Sequence, residues 1–348
     1  MTAVALEVQV VPRGITFGVA RGETVLQAAD RQGVSLKYGC RHGNCSTCKY
    51  LLVEGEVDHG PASPYSLSES EREEGWALLC CAVPLEDLVI EDTAPLDGRA
   101  YPVITPSVRL AMVEEVEPLG GEMIRLVLAA DADPLPFYPG QFVELALPDH
   151  DTWRCYSLAC APSEARRPSF VVEQLPGGAF SGQVATFERG QPLAVRGPFG
   201  DAYLRPGDDP VLLVAGGGSA IAPILSILRH AAETGDRREL RLFYGTRTPQ
   251  SLVCLEEIES YERQLSLETT LCVSDPGYGD SPASFVGGVT QAIQHLVADA
   301  SVFDAYVCGK AEMCERVGRL LEAKGLRDGR CFADPFFSAI SGVAVGQP

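Results

Sequence analysis

The chain has 348 residues, a length that predicts more than one domain, and 46% of them are apolar, as in a globular protein. Its net charge of −19 argues against a nucleic-acid partner, because phosphate binding needs clustered Lys and Arg. We find neither an apolar run long enough to span a bilayer nor a signal peptide, so we expect a cytoplasmic protein. Twelve cysteines without a secretory signal are expected to be metal ligands and buried thiols rather than disulfides.

Two changes of sequence pattern divide the chain into three predicted domains. Residues 1–98 begin with a strand-like run at Ala5–Val10 and continue with a predicted helix at Thr24–Gln32. Residues 99–207 contain short strands punctuated by Pro and Gly, which predicts a small antiparallel β-barrel. Residues 208–348 alternate apolar strands with helices, which predicts a doubly wound parallel sheet.

The strongest motif is a group of cysteines in the first domain. The segment Cys40-Arg-His-Gly-Asn-Cys45-Ser-Thr-Cys48 is followed later by the pair Cys80-Cys81. This is the plant-type spacing of a [2Fe-2S] cluster, whose two irons need four thiolate ligands. A four-cysteine zinc site is the structural alternative, although such sites usually pair two Cys-x-x-Cys knuckles and only Cys45 and Cys48 form one here.

The same segment resembles plant-type ferredoxins. In that family the last ligand follows a Gly-Trp-x-Leu-x-Cys pattern, which Gly75-Trp-Ala-Leu-Leu-Cys80 matches. The resemblance implies a β-grasp-like fold and selects Cys80 as the fourth ligand, and spacing alone leaves open whether Cys81 takes part. The implied cluster ligands are Cys40, Cys45, Cys48 and Cys80.

Two segments of the second domain carry flavin signals. Arg154-Cys-Tyr-Ser-Leu158 lies in a predicted strand, and alternation sends its first, third and fifth side chains to one face. Pro176-Gly-Gly-Ala-Phe-Ser181 is predicted to open a helix, whose free N–H groups can bind a pyrophosphate. Taken singly, the first segment is explained by a surface Arg beside a packed Tyr, and the second by a turn with a Ser cap.

Together these segments resemble the ferredoxin-NADP reductase superfamily. There the matching Arg binds a flavin phosphate, the Tyr and Ser contact the isoalloxazine ring, and the glycine segment holds the flavin pyrophosphate. The resemblance implies an FAD site formed by Arg154, Tyr156, Ser157, Leu158, Gly177, Gly178 and Ser181.

A glycine run in the third domain lies between a predicted strand and a helix, a geometry that cradles a pyrophosphate. It is not the Rossmann fingerprint, because the third glycine of that motif would fall at Ile221. It resembles the Gly-Gly-Gly-Ser/Thr-Gly-Ile-x-Pro turn of ferredoxin-NADP reductase relatives, with Ala220 in place of one glycine. The resemblance implies nicotinamide-cofactor contacts from Gly216, Gly217, Gly218, Ser219 and Pro223.

Two later segments resemble the same superfamily. Cys308-Gly309 and Met313 match a Cys-Gly-x-x-x-Met element beside the nicotinamide, which implies cofactor contacts from both residues of the pair. The segment 332–337 matches an ending where an aromatic side chain lies near the flavin, and Phe336 is the candidate. Ser157, Cys308 and Phe336 are therefore the residues expected around the hydride step.

The choice of nicotinamide cofactor depends on the residues after the strand Leu240–Tyr244. No acidic residue follows it at the usual ribose-binding place, and Arg247 is the only nearby cation. Because a 2′-phosphate usually needs more than one basic or hydroxyl group, we expect NADH rather than NADPH.

The three motif sets, in this order, resemble the reductase components of bacterial multicomponent monooxygenases of the phenol hydroxylase and soluble methane monooxygenase type. The segments 55–60 and 71–75 look most like the phenol hydroxylase type. The resemblance implies an oxidoreductase that passes electrons from NADH through FAD and the cluster to a separate di-iron hydroxylase. We expect a monomer. The first domain has 15 acidic against 7 basic residues, so we expect it to dock on a basic surface of the partner protein. Two alternatives remain: a reductase for a Rieske-type dioxygenase, and a non-catalytic redox sensor.

Overall fold

The computed structural model describes residues 6–39, 41, 43, 47–64, 66–92, 99, 101–102, 104–130, 133–148, 152–277 and 281–336. The chain divides into two compact units, residues 1–105 with 335–348 and residues 106–334. No helix within the described ranges is both long and apolar enough to cross a bilayer.

The first unit is built on a mixed five-stranded sheet with the order β2-β1-β7-β3-β5, beside a two-stranded β4-β6 ribbon. Its elements are β1 (Leu6–Val11), β2 (Ile15–Val19), α1 (Val25–Arg31), β3 (Lys49–Glu54), β4 (Val57–Asp58), α2 (Glu69–Glu73), β5 (Trp76–Leu78), β6 (Val83–Pro84) and β7 (Leu88–Glu91).

The predicted helix of this unit is confirmed as α1. Thr24 caps it in a reciprocal capping box with Gln27, which satisfies two backbone N–H groups at the helix start. The apolar residues of α1 are buried in the core of the unit. A mixed sheet packed against one helix agrees with the expected β-grasp-like ferredoxin fold.

The first half of the second unit is an antiparallel six-stranded sheet with the order β11-β10-β13-β8-β9-β12. Its strands are β8 (Ser107–Gly120), β9 (Met123–Ala130), β10 (Phe142–Ala146), β11 (Arg154–Ser157), β12 (Ser169–Glu173) and β13 (Pro192–Phe199). The two edge strands meet at a single bridge between Leu158 and Phe170, so the sheet curls around a shared apolar core.

The second half is a sheet with the order β17-β16-β15-β14-β18-β19. Its elements are β14 (Val211–Gly216), α3 (Ile221–Thr234), β15 (Leu240–Thr246), α4 (Leu255–Glu262), β16 (Leu267–Val273), β17 (Phe285–Val286), α5 (Val289–Leu296), β18 (Asp304–Lys310), α6 (Ala311–Ala323) and β19 (Cys331–Phe336). Strands β14 to β18 pair in parallel, and β14 has β15 on one side and β18 on the other. The chain order therefore reverses at β14, which is where open α/β sheets bind ligands at their carboxyl edge.

Candidate functional site

The cysteine site is described at two of its four predicted ligands, because Cys40 and Cys45 lie outside the described residues. The antiparallel pairing of β3 with β5 continues past the strand ends, where the N–H of Leu79 donates to the carbonyl of Cys48 at 2.9 Å. This bond places Cys80 beside Cys48, and their thiols are within hydrogen-bonding distance. Two thiols 32 positions apart in sequence are thus brought to one place.

Cys81 lies next to this pair but faces a different neighbour. Its sulfur lies 3.7 Å from that of Cys80, and a Cβ added to Gly43 would stand only 2.7 Å from the Cys81 sulfur. Gly43 also has a left-handed backbone, with φ of 74°. Gly43 therefore packs directly on Cys81, a contact that only glycine permits.

The Cys80 thiol is not ionised by its own surroundings. Although its hydrogen bond with Cys48 lowers the pKa, the contact with Cys81 and burial raise the pKa of Cys80 to about 12. A thiolate here needs a metal to stabilise it, since metal binding displaces the thiol proton. The donor set fits an iron–sulfur cluster.

The predicted flavin strand is β11. Tyr156 packs against Phe180 with ring centroids 5.1 Å apart, and Tyr156 and Leu158 both contact the core of the curled sheet. Burial raises the pKa of Tyr156, so its phenol stays protonated and can donate a hydrogen bond. Arg154 is half-buried on the same strand, and its guanidinium donates to the carbonyl of Trp153 at 3.0 Å.

The glycine segment that follows Pro176 does not open an α-helix, so that prediction is wrong. The chain forms consecutive turns and then a 3-10 helix at Val184–Thr186. Gly177, Gly178 and Gly182 have low helix propensity, and Phe180 is instead held between the rings of Tyr156 and Phe187.

These turns nevertheless lie beside β11 and leave space for a ligand. A cavity of about 130 Å³ is lined by Leu147, Thr152, Ala179, Phe180 and Gln183. A Cβ on Gly177 would meet nothing within 4 Å, whereas one on Gly178 would meet the buried Ser181 hydroxyl at 2.4 Å. Gly177 thus borders open space, and Ser181 supports the turn from behind.

Ser157 and Cys308 both interact with a residue that the sequence analysis did not select. The buried Ser157 hydroxyl donates to the Asp334 carboxylate at 3.2 Å, across 177 positions of the chain. Burial, and next the charge of Asp334, raise the pKa of Cys308, which is therefore a neutral thiol at pH 7. The available signal was the single carboxylate in the segment 332–337, where only an aromatic residue was weighed.

Phe336, the aromatic candidate, is the last residue of β19 and is half-buried. Its position beside a flavin ring stays a prediction.

The predicted nucleotide loop lies at the carboxyl end of β14. Gly216 is aligned with Gly245 of β15 on one side and Gly309 of β18 on the other, so three neighbouring strands lack a side chain at the same level near their carboxyl ends. A Cβ on Gly309 would stand 2.4 Å from the carbonyl oxygen of Gly216. The side chain of Met313 covers the pair, 2.5 Å from a Cβ placed on Gly216.

The loop then enters α3. Gly217 has φ of 128°, and a Cβ there would meet only the Ala220 Cβ at 4.0 Å, so this glycine borders open space. Among the described residues no side chain caps α3, which leaves backbone N–H groups of its first turn available to a phosphate. Ala220, with φ of −66°, adopts a helical conformation that does not require glycine. Pro223 lies in the first turn, where its missing N–H is tolerated.

A carboxylate lies beside the predicted ribose position, after a strand whose following residues the sequence analysis did not weigh. Asp275 follows β16, and its N–H donates to the carbonyl of Arg247 at 2.7 Å. Both side chains are exposed at the carboxyl edge of the sheet.

Comparison with known proteins identifies each part of this arrangement. Models of a 2Fe-2S iron-sulfur cluster binding domain, an oxidoreductase FAD-binding domain and an oxidoreductase NAD-binding domain match residues 8–85, 111–203 and 213–319. The reductase component of propane 2-monooxygenase from Rhodococcus jostii (strain RHA1) is 33% identical over 94% of this chain and 90% of its own length. The reductase component of phenol 2-monooxygenase from Pseudomonas sp. (strain CF600) is 35% identical over 97% of this chain and 96% of its own length. The chain belongs to the family of reductase components of multicomponent oxygenases.

A solved structure extends the likeness to the fold of the reductase. The Amycolatopsis cytochrome P450 reductase GcoB superposes with a TM-score of 0.82 and 29% identity, over 95% of this chain and 98% of its own. The reductase is an NADH-dependent oxidoreductase with FAD and a [2Fe-2S] cluster, and it passes electrons to an oxygenase component. The predicted cofactors are therefore confirmed.

Each residue group supplies a different part of the chemistry. An FAD bound at this site would supply the link between the two-electron hydride chemistry of NADH and the one-electron chemistry of a [2Fe-2S] cluster. The protein's own task is positioning: a closed, aligned contact between two bound rings replaces a bimolecular encounter. The hydrogen bond from Ser157 to Asp334 joins the predicted flavin strand to β19, and the charge of Asp334 acts on Cys308 of β18.

Proposed function

We propose that this reductase delivers electrons from NADH to a separate di-iron hydroxylase of a multicomponent monooxygenase. The electron-transfer part of the proposal is carried by the hydrogen bond from Ser157 to Asp334, whose charge also acts on Cys308. This hydrogen bond connects the flavin strand to the NAD-binding sheet. The relatives named for propane and phenol monooxygenases, each similar over more than nine-tenths of this chain, support the class of the acceptor. We propose that the reductase acts as a monomer.

The proposed site has three parts. The cluster is ligated by Cys40, Cys45, Cys48 and Cys80, and Cys81 only packs against the ligand loop. The FAD is held by Arg154, Tyr156, Ser157, Leu158, Gly177, Gly178 and Ser181. NADH is held by Gly216, Gly217, Gly218, Ser219, Pro223, Cys308 and Gly309, and Phe336 lies beside the flavin. The domain boundaries lie near residues 98 and 207.

We further propose that Asp275 selects NADH. A carboxylate can accept a hydrogen bond from the 2′-hydroxyl of the adenosine ribose and repels a 2′-phosphate, which the exposed Arg247 alone does not offset. In Asp275→Ser the ratio of kcat/KM for NADH to that for NADPH should fall by at least about tenfold. A ratio unchanged in this variant, and equally unchanged in the control Asp328→Ser at another exposed position, would refute this role.

The proposed electron path is tested by anaerobic titration of the purified holoprotein with NADH. Absorbance should show bleaching of the flavin, and electron paramagnetic resonance should show a reduced [2Fe-2S] signal. Flavin reduction without a cluster signal would remove the cluster as the exit for electrons. Absence of any NADH-driven reduction would favour a redox sensor.

The acceptor is tested separately, with the holoprotein and purified oxygenase components. NADH consumption coupled to product formation should occur with the hydroxylase component of a phenol monooxygenase. A second candidate acceptor is the oxygenase component of a dioxygenase, because the electron transfer component of toluate 1,2-dioxygenase from Pseudomonas putida is 32% identical over 90% of this chain. Turnover with that component alone would replace the monooxygenase assignment.

A further inference from the structure

One buried hydroxyl group lies directly behind the nucleotide loop. Tyr244 belongs to β15 and is fully buried. Its Oη accepts a hydrogen bond from the N–H of Val253 at 3.1 Å, and it lies 3.4 Å from the carbonyl oxygen of Gly218 and 3.3 Å from that of Ser251. The single hydroxyl proton is therefore shared by two carbonyl groups, and one of them belongs to the loop.

The orientation of this carbonyl decides what the loop presents on its other side. In a trans peptide the C=O and the N–H of the next residue point in opposite directions. Since the Gly218 carbonyl points back to Tyr244, the N–H of Ser219 points away from Tyr244. An N–H on that side is a donor for a phosphate oxygen, whereas a carbonyl would repel one.

Neighbouring contacts hold the position of the loop but not the orientation of this peptide. The N–H of Gly217 donates to the carbonyl of Gly245 at 2.8 Å. A Cβ placed on Gly218 would stand 2.5 Å from Cε of Met123 and 3.1 Å from the carbonyl oxygen of Ser251. Because glycine restricts the backbone less than any other residue, a polar anchor on its carbonyl helps to keep this peptide from turning over.

We propose that Tyr244 is a positioning residue for NADH: its hydroxyl anchors the Gly218 carbonyl and thereby holds the Ser219 N–H toward the pyrophosphate. This inference rests on the proposed role of Gly216–Ser219 as the pyrophosphate loop. It adds a group that lies outside the cofactor-binding surface and acts through the backbone.

The test is Tyr244→Phe in the full chain loaded with FAD and cluster. The probe is ADP-ribose, which carries the pyrophosphate but no nicotinamide and therefore causes no reduction. Its Kd by titration calorimetry and the KM for NADH with ferricyanide as acceptor should both rise about tenfold, the effect of removing a hydroxyl donor and leaving a buried carbonyl group unpaired. The kcat should stay within about twofold, because the change acts on binding rather than on the hydride step.

Tyr306→Phe is the matched control. Tyr306 is also fully buried, in the neighbouring part of the same sheet, and its hydroxyl accepts the N–H of Arg205 at 2.7 Å. Both variants lose an acceptor for one backbone N–H, so their urea midpoints should fall by similar amounts. Only Tyr244→Phe should weaken ADP-ribose binding; equal weakening in both, or none in either, overturns the proposal.

A third variant separates this inference from the proposed site. Gly217→Ala places a Cβ in the open side of the loop and strains a backbone with φ of 128°. If Gly217→Ala weakens ADP-ribose binding and Tyr244→Phe does not, the loop assignment stands and the positioning role falls. If Gly217→Ala also has no effect, the pyrophosphate site itself is wrong.

Discussion

Glu257 of α4 is the centre of an ion-pair network between the two halves of the second unit. It contacts Arg125 of β9, and it accepts a hydrogen bond from Arg229 of α3 at 2.8 Å. Arg229 also pairs at 3.0 Å with Glu164, which lies in a 3-10 helix of the first half. The carboxylate of Glu257 therefore pairs with two guanidinium groups, one from each half.

Glu257→Gln removes this charge and keeps the side-chain shape. The side chains of Arg125, Glu257 and Arg229 are 21%, 23% and 23% exposed, so the network is neither a surface pair nor fully buried. Exposed pairs contribute about 0–1 kcal/mol, and breaking a buried pair costs about 3–5 kcal/mol. We therefore expect a loss of about 2 kcal/mol, or about 30-fold in the unfolding equilibrium.

The assay is urea unfolding of the holoprotein, followed by the fluorescence of released flavin and by far-UV circular dichroism. The control is Glu315→Gln, whose carboxylate pairs with Arg319 at positions 61% and 74% exposed and should contribute less than about 0.5 kcal/mol. If the two variants shift the midpoint equally, the reasoning that links half-burial and a shared carboxylate to stability is refuted.

Three further predictions concern the cluster, the hydride site and the acid limb of stability. Cys80→Ser should abolish the visible absorbance of the [2Fe-2S] cluster and Cys81→Ser should retain it; the reverse outcome would exchange their roles. Asp334→Asn should slow NADH-driven flavin reduction in stopped flow by about tenfold or more at unchanged FAD content, because a hydrogen bond to a charged group contributes about 1.5–3 kcal/mol; a rate equal to that of Asp328→Asn would contradict this. The hydrogen bond from Lys49, and next that from the Ser68 N–H, lower the pKa of Glu71 from 4.5 to about 2. Its contribution to stability is thus complete above pH 4.5 and disappears as the pH falls toward 2. The urea midpoint of Glu71→Gln should therefore change less with pH in this range than that of the unsubstituted protein, whereas Glu73→Gln should keep the original pH dependence.

Much of the fold could be predicted because its signals are local. Most strands of the second unit were found from their apolar runs, and α1 from Thr24 and the apolar residues that follow it. The longest strand, β8, was missed. Its exposed face carries the apolar side chains of Val108, Leu110 and Met112, and its buried face those of Ala111 and Val113. The sequence therefore lacks the alternation of apolar and polar residues that marks a half-buried strand.

The helix predicted after Pro176 failed for a tertiary reason. The turn residues of this segment allow several conformations, and the packing of Phe180 between Tyr156 and Phe187 selects one that is not helical. Local propensity is a weak constraint where a large aromatic side chain can be buried elsewhere.

The sequence by itself determined the chemistry of the site, because cluster ligation and phosphate binding each require particular residue types at short spacing: Cys45 and Cys48, or Gly216, Gly217 and Gly218. The tertiary structure alone decided which distant groups act together. Asp334 reaches Ser157 across 177 positions, and Tyr244 reaches Gly218 from a neighbouring strand. Such contacts depend on strand order and side-chain packing, which bring residues together without leaving any periodic or compositional signal in the chain.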